Sequence, residues 1–391
     1  MEEKSKHIVV IGSGNAGLLA ALVYNHHHHN VTVITAGESI QVGESTSFAM
    51  PYILRLLNIN EAEWMECCDA VFKFSVNFED WSGIGTRYSH PFAYPGEYGY
   101  HYDVKFFTNF LRRKCVERGI TIIADKVVNI ESGINGIKGV ITAANGKVAG
   151  DYFIDCTGFK SLLLGQHYRQ NFISFHKNII LNDRAVLLQS RNIINEKNYT
   201  NCTSLTNGWM WTISLKSRTD YGYVYSSDYI TDDLAELELR TRVGNFDSPA
   251  RWIKYKPGRY EKSVIKNCIG IGLSSGFIEP LESTGYGFIV HGILQSVKYI
   301  SGQITETEFN HSMKDVYTCS KHFIELHYYM CRRNDTPYWK YYKKFKPSDE
   351  RLKQIVDTYS NSVNTPHGRT HFEYTIKGMN LVDTSLNPPW L

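Results

Sequence analysis

The chain opens on an uninterrupted apolar run, His7 to Ile11 (HIVVI), followed at once by Gly12-Ser13-Gly14-Asn15-Ala16-Gly17. Apolar residues then recur at helical spacing as Leu18, Leu19, Ala21, Leu22 and Tyr24, before a second apolar run at Val31 to Ile34. Strand, glycine turn, helix and strand within about 30 residues is the context a dinucleotide fingerprint requires. Its glycines permit a tight turn and let a pyrophosphate approach the helix N-terminus. The acidic residue that usually ends the second strand and holds the ribose is missing. Thr35 stands there, and either Glu38, three residues on, or water and backbone take over the ribose contact.

Farther along, Val71 to Trp81 (VFKFSVNFEDW) alternates. The alternation predicts one strand with Phe72, Phe74, Val76 and Phe78 on one face and Lys73, Ser75, Asn77 and Glu79 on the other. On pattern alone Lys73 is a solvated strand lysine. Residues 82–100, rich in Gly, Pro, Tyr and His, read as loops; 103–118 reads as an amphipathic helix, with strands near 120–124 and 137–143. Asp151 to Gly158 (DYFIDCTG) reads as a buried strand ending in a small-residue turn suited to close contact with a cofactor. Strands dominate 172–230, where Gly208 to Ile213 (GWMWTI) puts Trp209 and Trp211 on the same side of one of them. From about 305 onward the pattern is helical.

Asn267 to Gly285 combines an apolar strand and a glycine pair with Glu279-Pro280-Leu281-Glu282-Ser283-Thr284-Gly285; a helix-like segment then reaches about Ile300. Pro280 cannot continue a regular element, and Ser283 or Thr284 is suited to cap the next helix. A helix start leaves N–H groups free and its dipole favours negative charge, so the segment offers an anion site beside the Glu282 carboxylate. Taken alone, the stretch favours a plain strand, loop and capped helix with Glu282 in solvent.

The rest of the composition removes alternatives. A chain of 391 residues with 42% hydrophobic and 21% charged residues can bury a large core, and its net charge of +3 makes no case for nucleic acid. The densest basic run, Lys340 to Lys346 (KYYKKFK), reads as the solvated face of a helix. His26 to His29 read as a solvated helix end rather than a metal tract. Eight cysteines without CxxC spacing support neither zinc nor thioredoxin-like chemistry, and no apolar run is long enough for a membrane span. The composition describes a reduced, cytoplasmic protein.

In order and spacing, these segments resemble the flavin-dependent halogenases, the family that includes the tryptophan halogenases, over about residues 7 to 355. GSGNAG matches the FAD fingerprint of that family, and Val42-Gly43-Glu44-Ser45-Thr46 resembles its GEAT-type segment. The FKF around Lys73, YHYDVKFFTNFLRRKCVERG (100–119), DCTGFKSLL (155–163) and LNDRAV (181–186) fall in the family's order. GWMWTI resembles the WxWxIP signature, GFIEPLESTG the halide and catalytic loop, and LHYYMCRRNDTPYW (326–339) the C-terminal pattern.

The resemblance implies an α/β fold of the FAD-binding, Rossmann-like GR2 type shared by monooxygenases and halogenases, with an inserted mixed β-sheet region and C-terminal helices. The expected division is a discontinuous FAD-binding domain (1–70, 100–165 and 265–305), a substrate-binding sheet region (71–99 and 166–264) and a helical region (306–391). FAD contacts are implied at Gly12, Gly14, Asn15, Ala16, Gly17, Glu44, Val128, Leu273 and Tyr286. Lys73 and Glu282 are implied as catalytic, Thr284 and Gly285 as the backbone positions that hold halide, and Trp209 and Trp211 as a screen between flavin and substrate. The implied reaction is FADH2- and O2-dependent halogenation of a small electron-rich aromatic of indole or phenol type, through a flavin hydroperoxide and hypohalous acid. Halide (chloride, bromide or iodide) is the co-substrate. With no second nucleotide fingerprint for NAD(P)H, FADH2 comes from a separate flavin reductase; a homo-oligomer stays open. The signature proline is Ser214 here, which would loosen that strand, and the chain is shorter than typical tryptophan halogenases, which argues for a reduced lid over the substrate. The alternatives are an FAD-dependent aromatic monooxygenase and a catalytically silent flavin-fold binding protein.

Overall fold

The first apolar run forms the strand His7–Ile11, and it sits at the centre of a parallel sheet because every one of its last four residues is buried. Its neighbours are Asn30–Thr35 on one side and Tyr152–Asp155 on the other, with Thr121–Ala124 and Cys268–Gly270 beyond them. A short antiparallel strand, Val264–Ile265, closes one edge. The helix Asn15–His26 is buried from Gly17 through Tyr24, as expected for a crossover helix enclosed by other elements. The computed structural model describes residues 5–37, 42–92, 96–176, 180–191, 198–244 and 247–344, with 350 and 353; Glu38 lies outside them.

Among the described residues the largest sheet has seven strands, in the order Arg251–Lys254, Arg184–Ser190, Thr219–Tyr225, Gly208–Ser214, Tyr199–Leu205, Ser75–Glu79, Arg87–Pro91. A small sheet of Gly43–Ser45, Gly99–Asp103 and Val71–Lys73 also forms. Its middle strand ends on Asp103, whose side chain caps the helix Val104–Glu117. The helix Glu306–Met330 starts on a capping box made by Thr305 and Glu308, and Pro337–Lys344 follows it. One core runs from the helix Asn15–His26 to an aromatic group that includes Phe78, Trp81, Trp209, Tyr328 and Trp339. In the helix Pro337–Lys344 Tyr342 packs inward while Lys340, Lys343 and Lys344 are exposed, and His26 to His28 are exposed at a helix end, although His29 turns in. All eight cysteines are free thiols, and no described helix is long and apolar enough to cross a membrane.

Two expectations from the pattern fail. Residues 71–81 are two strands in two different sheets, because the chain switches at Phe74: its N–H donates to the Asn198 carbonyl and its side chain is left exposed. The switch resets the alternation, so Lys73 and Ser75 both face inward, and Lys73 is only 1% exposed. The supposed loops of 82–100 contain the strand Arg87–Pro91, which pairs back on Ser75–Glu79, and run into Gly99–Asp103, which pairs with Gly43–Ser45 and Val71–Lys73, so Pro91 and Gly99 lie within strands.

Candidate active site

At the end of the first strand Gly12 has φ +110°, and a Cβ there would lie 2.3 Å from the Cys156 carbonyl oxygen. A Cβ on Gly17 would lie 2.0 Å from the Gly12 oxygen, so strand, turn and helix pack closer than any side chain permits. Gly14 differs: nothing lies within 4 Å of its absent Cβ, and no side chain caps the helix that starts at Asn15. The first-turn N–H groups therefore have no side-chain cap among the described residues. Arg112 donates from Nη2 to Ser13 Oγ (3.3 Å), while its buried Nε has no partner among the described residues. A helix start without a cap, a close-packed glycine turn and an unpaired guanidinium nitrogen fit the diphosphate of FAD.

The side chains of the other implied cofactor residues are partly engaged within the protein. Asn15 donates to the phenols of Tyr102 and Tyr286, at 2.9 Å each, and accepts from Thr108 Oγ1. The two phenols also touch each other. Glu44 pairs with Tyr102 in register, and burial raises its carboxyl to about 7. Leu273 follows Gly272, whose absent Cβ would contact Ala16 in the fingerprint helix, and is 39% exposed. Val128 lies in a different sheet, on Val127–Gly133, with its side chain outward. Thr35 bonds Ser13 through its hydroxyl and so occupies the place of the missing acid.

Lys73 and the 279–285 loop meet across the small sheet. Lys73 Nζ donates to the Thr46 carbonyl (3.1 Å) and to Ser283 Oγ (3.2 Å), and lies 5.6 Å from the centre of the Phe92 ring. Burial lowers its ammonium to about 8, while Glu282, Cys202 and Glu44 pull back upward. Ser283 Oγ in turn donates to Ser45 Oγ, which bonds Thr200. The hydroxyl is thus spent on Lys73 and Ser45 and caps nothing, contrary to the pattern; Ser283 occupies the N-cap position in left-handed backbone with no side-chain cap bond. Thr284 Oγ1 is buried without a partner among the described residues. Glu282 and Ser283 both hold positive φ, 63° and 56°, a conformation that costs about 1–3 kcal/mol per residue and concentrates at functional sites. The N–H groups of Thr284 and Gly285 open the helix Thr284–Ile300, and the space where a Cβ of Gly285 would stand is open. These features fit a small anion.

Glu282 is not in solvent. Its Oε1 contacts His90 Nδ1 at 2.8 Å and His327 Nε2 at 3.0 Å, and its side chain is 6% exposed. Burial works to raise this carboxyl, but the charge of His90 and the hydrogen bonds from His327 and His90 outweigh it and hold Glu282 well below the usual carboxylate range. Oε2 has no protein partner among the described residues.

Trp209 and Trp211 lie in the strand Gly208–Ser214, both buried. Trp211 lies flat on Gly222, where a Cβ would come 2.2 Å from its ring. Trp209 Nε1 donates to Glu279 Oε1 (3.1 Å), which also accepts from Tyr328 (2.8 Å). Ser214 stays in register opposite Thr219, so the strand remains paired to its end without the family's proline. Sequence reasoning had assigned no role to His90, His327, Glu279 or Arg112. His327, Glu279 and Arg112 lie inside motifs that were recognised as wholes; His90 lies in a stretch read as loop.

Comparison with known proteins places this fold. The crystal structure of tryptophan 6-halogenase SttH from Streptomyces toxytricini superposes with a TM-score of 0.89 at 29% identity, covering 96% of this chain and 90% of that one. Tar14, a tryptophan C-6 flavin-dependent halogenase from taromycin biosynthesis, gives 0.88 at 30% identity, over 96% and 90%. The fold is that of the flavin-dependent halogenase class of enzymes, an FAD-binding, Rossmann-like α/β fold. The family model described as tryptophan halogenase matches residues 7–97 and 93–379. By sequence, SttH is 30% identical over 94% of this chain and 87% of its own length, and tryptophan 7-halogenase RebH of Lentzea aerocolonigenes is 27% identical over 94% and 84%. The chain belongs to the tryptophan halogenase family. The match to SttH runs to 458 positions, whereas 94% of this chain is about 367 residues, so roughly 90 of those positions have no counterpart here.

Proposed function

We propose that this enzyme halogenates a small electron-rich aromatic of indole or phenol type, using FADH2 from a separate reductase, O2 and a halide ion. The observation that carries this reading is a single loop joining two functions: Ser283 bonds the Lys73 ammonium, and the adjacent residue, Glu282, is a buried carboxylate with one oxygen unpaired among the described residues.

FAD held at the Gly12–Gly17 cradle supplies, when reduced and with O2, the oxidising power that turns halide into an electrophile. The chain's own groups do the rest. The N–H groups of Thr284 and Gly285 hold halide at the helix start. Lys73, lowered to about 8, is largely an ammonium at neutral pH yet has an accessible neutral form, so it either polarises the electrophilic halogen by hydrogen bonding or carries it as a haloamine. The enclosing Trp209 and Trp211 keep the aromatic away from the flavin, which favours halide over direct ring hydroxylation. When halogen adds to the ring, positive charge builds there; ionised Glu282 stabilises it and takes the ring proton on Oε2.

The test is incubation of the enzyme with FADH2, O2, a panel of free aromatics and chloride, bromide or iodide, read by mass spectrometry. Halogenated product is expected, and Lys73→Ala abolishes it. Hydroxylated product without any halogenated one overturns the reading.

A further inference from the structure

His327 stands in the last turn of the helix Glu306–Met330, fully buried, with both ring nitrogens engaged. Nδ1 faces the Phe323 carbonyl oxygen at 2.8 Å, and Nε2 faces Glu282 Oε1 at 3.0 Å. A carbonyl oxygen only accepts, so Nδ1 carries a hydrogen. A neutral imidazole with Nδ1–H presents a lone pair at Nε2, and a carboxylate presents lone pairs only. Two lone pairs do not hold a 3.0 Å contact in a buried site. A proton must lie between them.

We infer that Glu282 and His327 share one proton across this contact, and that His327 acts as a positioning residue which keeps Glu282 an anion inside the protein. The catalytic consequence deepens the function proposed above and rests on it. With the shared proton on Nε2, Oε1 is occupied by His327 and His90, and Oε2 alone faces the substrate. During turnover the C–H electron pair returns to the ring, and the proton goes to Oε2, leaving His327 still protonated on Nε2. The proton then leaves from Oε2 to water, which restores the starting state.

Three buried glutamates provide an internal comparison. Glu44 and Glu279 are both raised to about 7 by burial, whereas Glu282, equally enclosed, moves the other way. Glu279 takes its hydrogen bonds from the neutral groups of Tyr328, Asn182 and Trp209. What distinguishes Glu282 is a pair of imidazoles. The titratable groups facing it are Lys73 from the strand Val71–Lys73, Tyr88 and His90 from Arg87–Pro91, Cys202 from Tyr199–Leu205, and His327. Lys73 also favours the anion, but it is committed to Thr46 and Ser283. His327 is caged by Phe78 and Phe323, each with ring centroids 4.9 Å away, so a flat side chain fits there.

Infrared spectra of the enzyme without flavin or substrate test the sharing. His327→Phe and His327→Gln are each compared with the same variant carrying Glu282→Gln, so that Glu44 and Glu279 cancel. A protonated-carboxyl band from Glu282 is expected at about pH 5 in both His327 variants, where His90 alone is left to hold the anion, and is expected to be absent from wild type at that pH. Absence of the band from the variants, or its presence in wild type, overturns the inference. Should neither His327 variant fold, nitrogen-15 NMR of wild type against Glu282→Gln decides: a hydrogen on His327 Nε2 facing Glu282, present in wild type, must be lost in the variant, and unchanged ring-nitrogen signals overturn the inference. In turnover, the acid limb of the kcat profile of His327→Gln moves up by about one pH unit or more, with KM for the aromatic within about twofold of wild type. Superimposable profiles overturn the catalytic part. The spectra need no activity, so a wild type that halogenates nothing defeats the proposed function while leaving the shared proton to its own test.

Discussion

Replacing Lys73 with Met is expected to destroy halogenation and to make the protein more stable. The ammonium is 1% exposed, and its drop from 10.5 to about 8 means that carrying the charge in the fold costs about 3 kcal/mol relative to carrying the neutral amine. Between those two values the unfolded chain binds more protons than the folded one, so wild-type stability rises with pH through that window. Below about pH 8 the cost is present in full; above about 10.5 it is gone. Methionine fills a similar volume without charge, but leaves the Thr46 carbonyl oxygen without the Lys73 bond, at about 1 kcal/mol. The expected gain at neutral pH is therefore about 2 kcal/mol. A chain of 391 residues unfolds with an entropy of about 0.8 kcal/mol/K, so Tm rises by about 2–3 °C. Thermal melts of wild type and Lys73→Met, taken in steps from about pH 7 to about pH 10.5, should show the gap closing and then reversing as wild type sheds its proton. Titrations of groups remote from Lys73 are common to both proteins and cancel, while Glu44, whose anion the ammonium favours, is compared through the same melts in Glu44→Gln backgrounds. A gap that does not change with pH, or a variant less stable than wild type at neutral pH, would refute the claim that Lys73 is held charged against the preference of its surroundings.

Further expectations bear on the neighbouring groups. Glu282→Gln should lower halogenation about 10²–10⁴-fold while FAD binding, followed by flavin fluorescence, stays unchanged; a loss under tenfold would remove Glu282 from the chemistry. Gly12→Ala forces a Cβ to 2.3 Å from the Cys156 carbonyl oxygen at φ +110°, so it should cost about 1–3 kcal/mol and weaken FAD binding by calorimetry; an unaltered Kd would mean the turn does not approach the cofactor. For Glu279, raised from 4.5 to about 7, the folded state binds more protons than the unfolded one in that interval, so stability falls as pH rises through it, by about 3 kcal/mol. Glu279→Gln should flatten that slope in urea titrations at about pH 5 and 8, and an unchanged slope would assign the burial cost elsewhere.

Where local pattern was enough, the chain was legible. Strand, glycine turn and helix at 7–26 are contiguous, and the steric reason for Gly12 and Gly17 lies within that unit and in one neighbouring strand. The helix Thr284–Ile300 and the paired tryptophans also obey rules that act over a few residues. Lys73 did not, because its direction depends on a sheet switch at Phe74 that is fixed by Tyr199–Leu205 and Gly99–Asp103, strands from two other parts of the chain. Periodicity treats Val71 to Trp81 as one object, and the fold treats it as two. Family likeness picked out Lys73 where periodicity misread it.

The chemical state of Glu282 was hidden for a deeper reason. Its identity as a carboxylate is written at one position, but its charge depends on His90, 192 residues away, and His327, 45 residues away, converging on one oxygen. Glu279 and Glu282 stand three positions apart in the same motif, both enclosed, yet burial raises one to about 7 and the imidazoles hold the other down. Exchange of their surroundings would exchange their roles: a carboxyl neutral near pH 7 cannot steady a developing cation, and one flanked by two imidazoles can. Naming a glutamate in a motif therefore locates the acid, while the histidines across the fold decide whether it is a base.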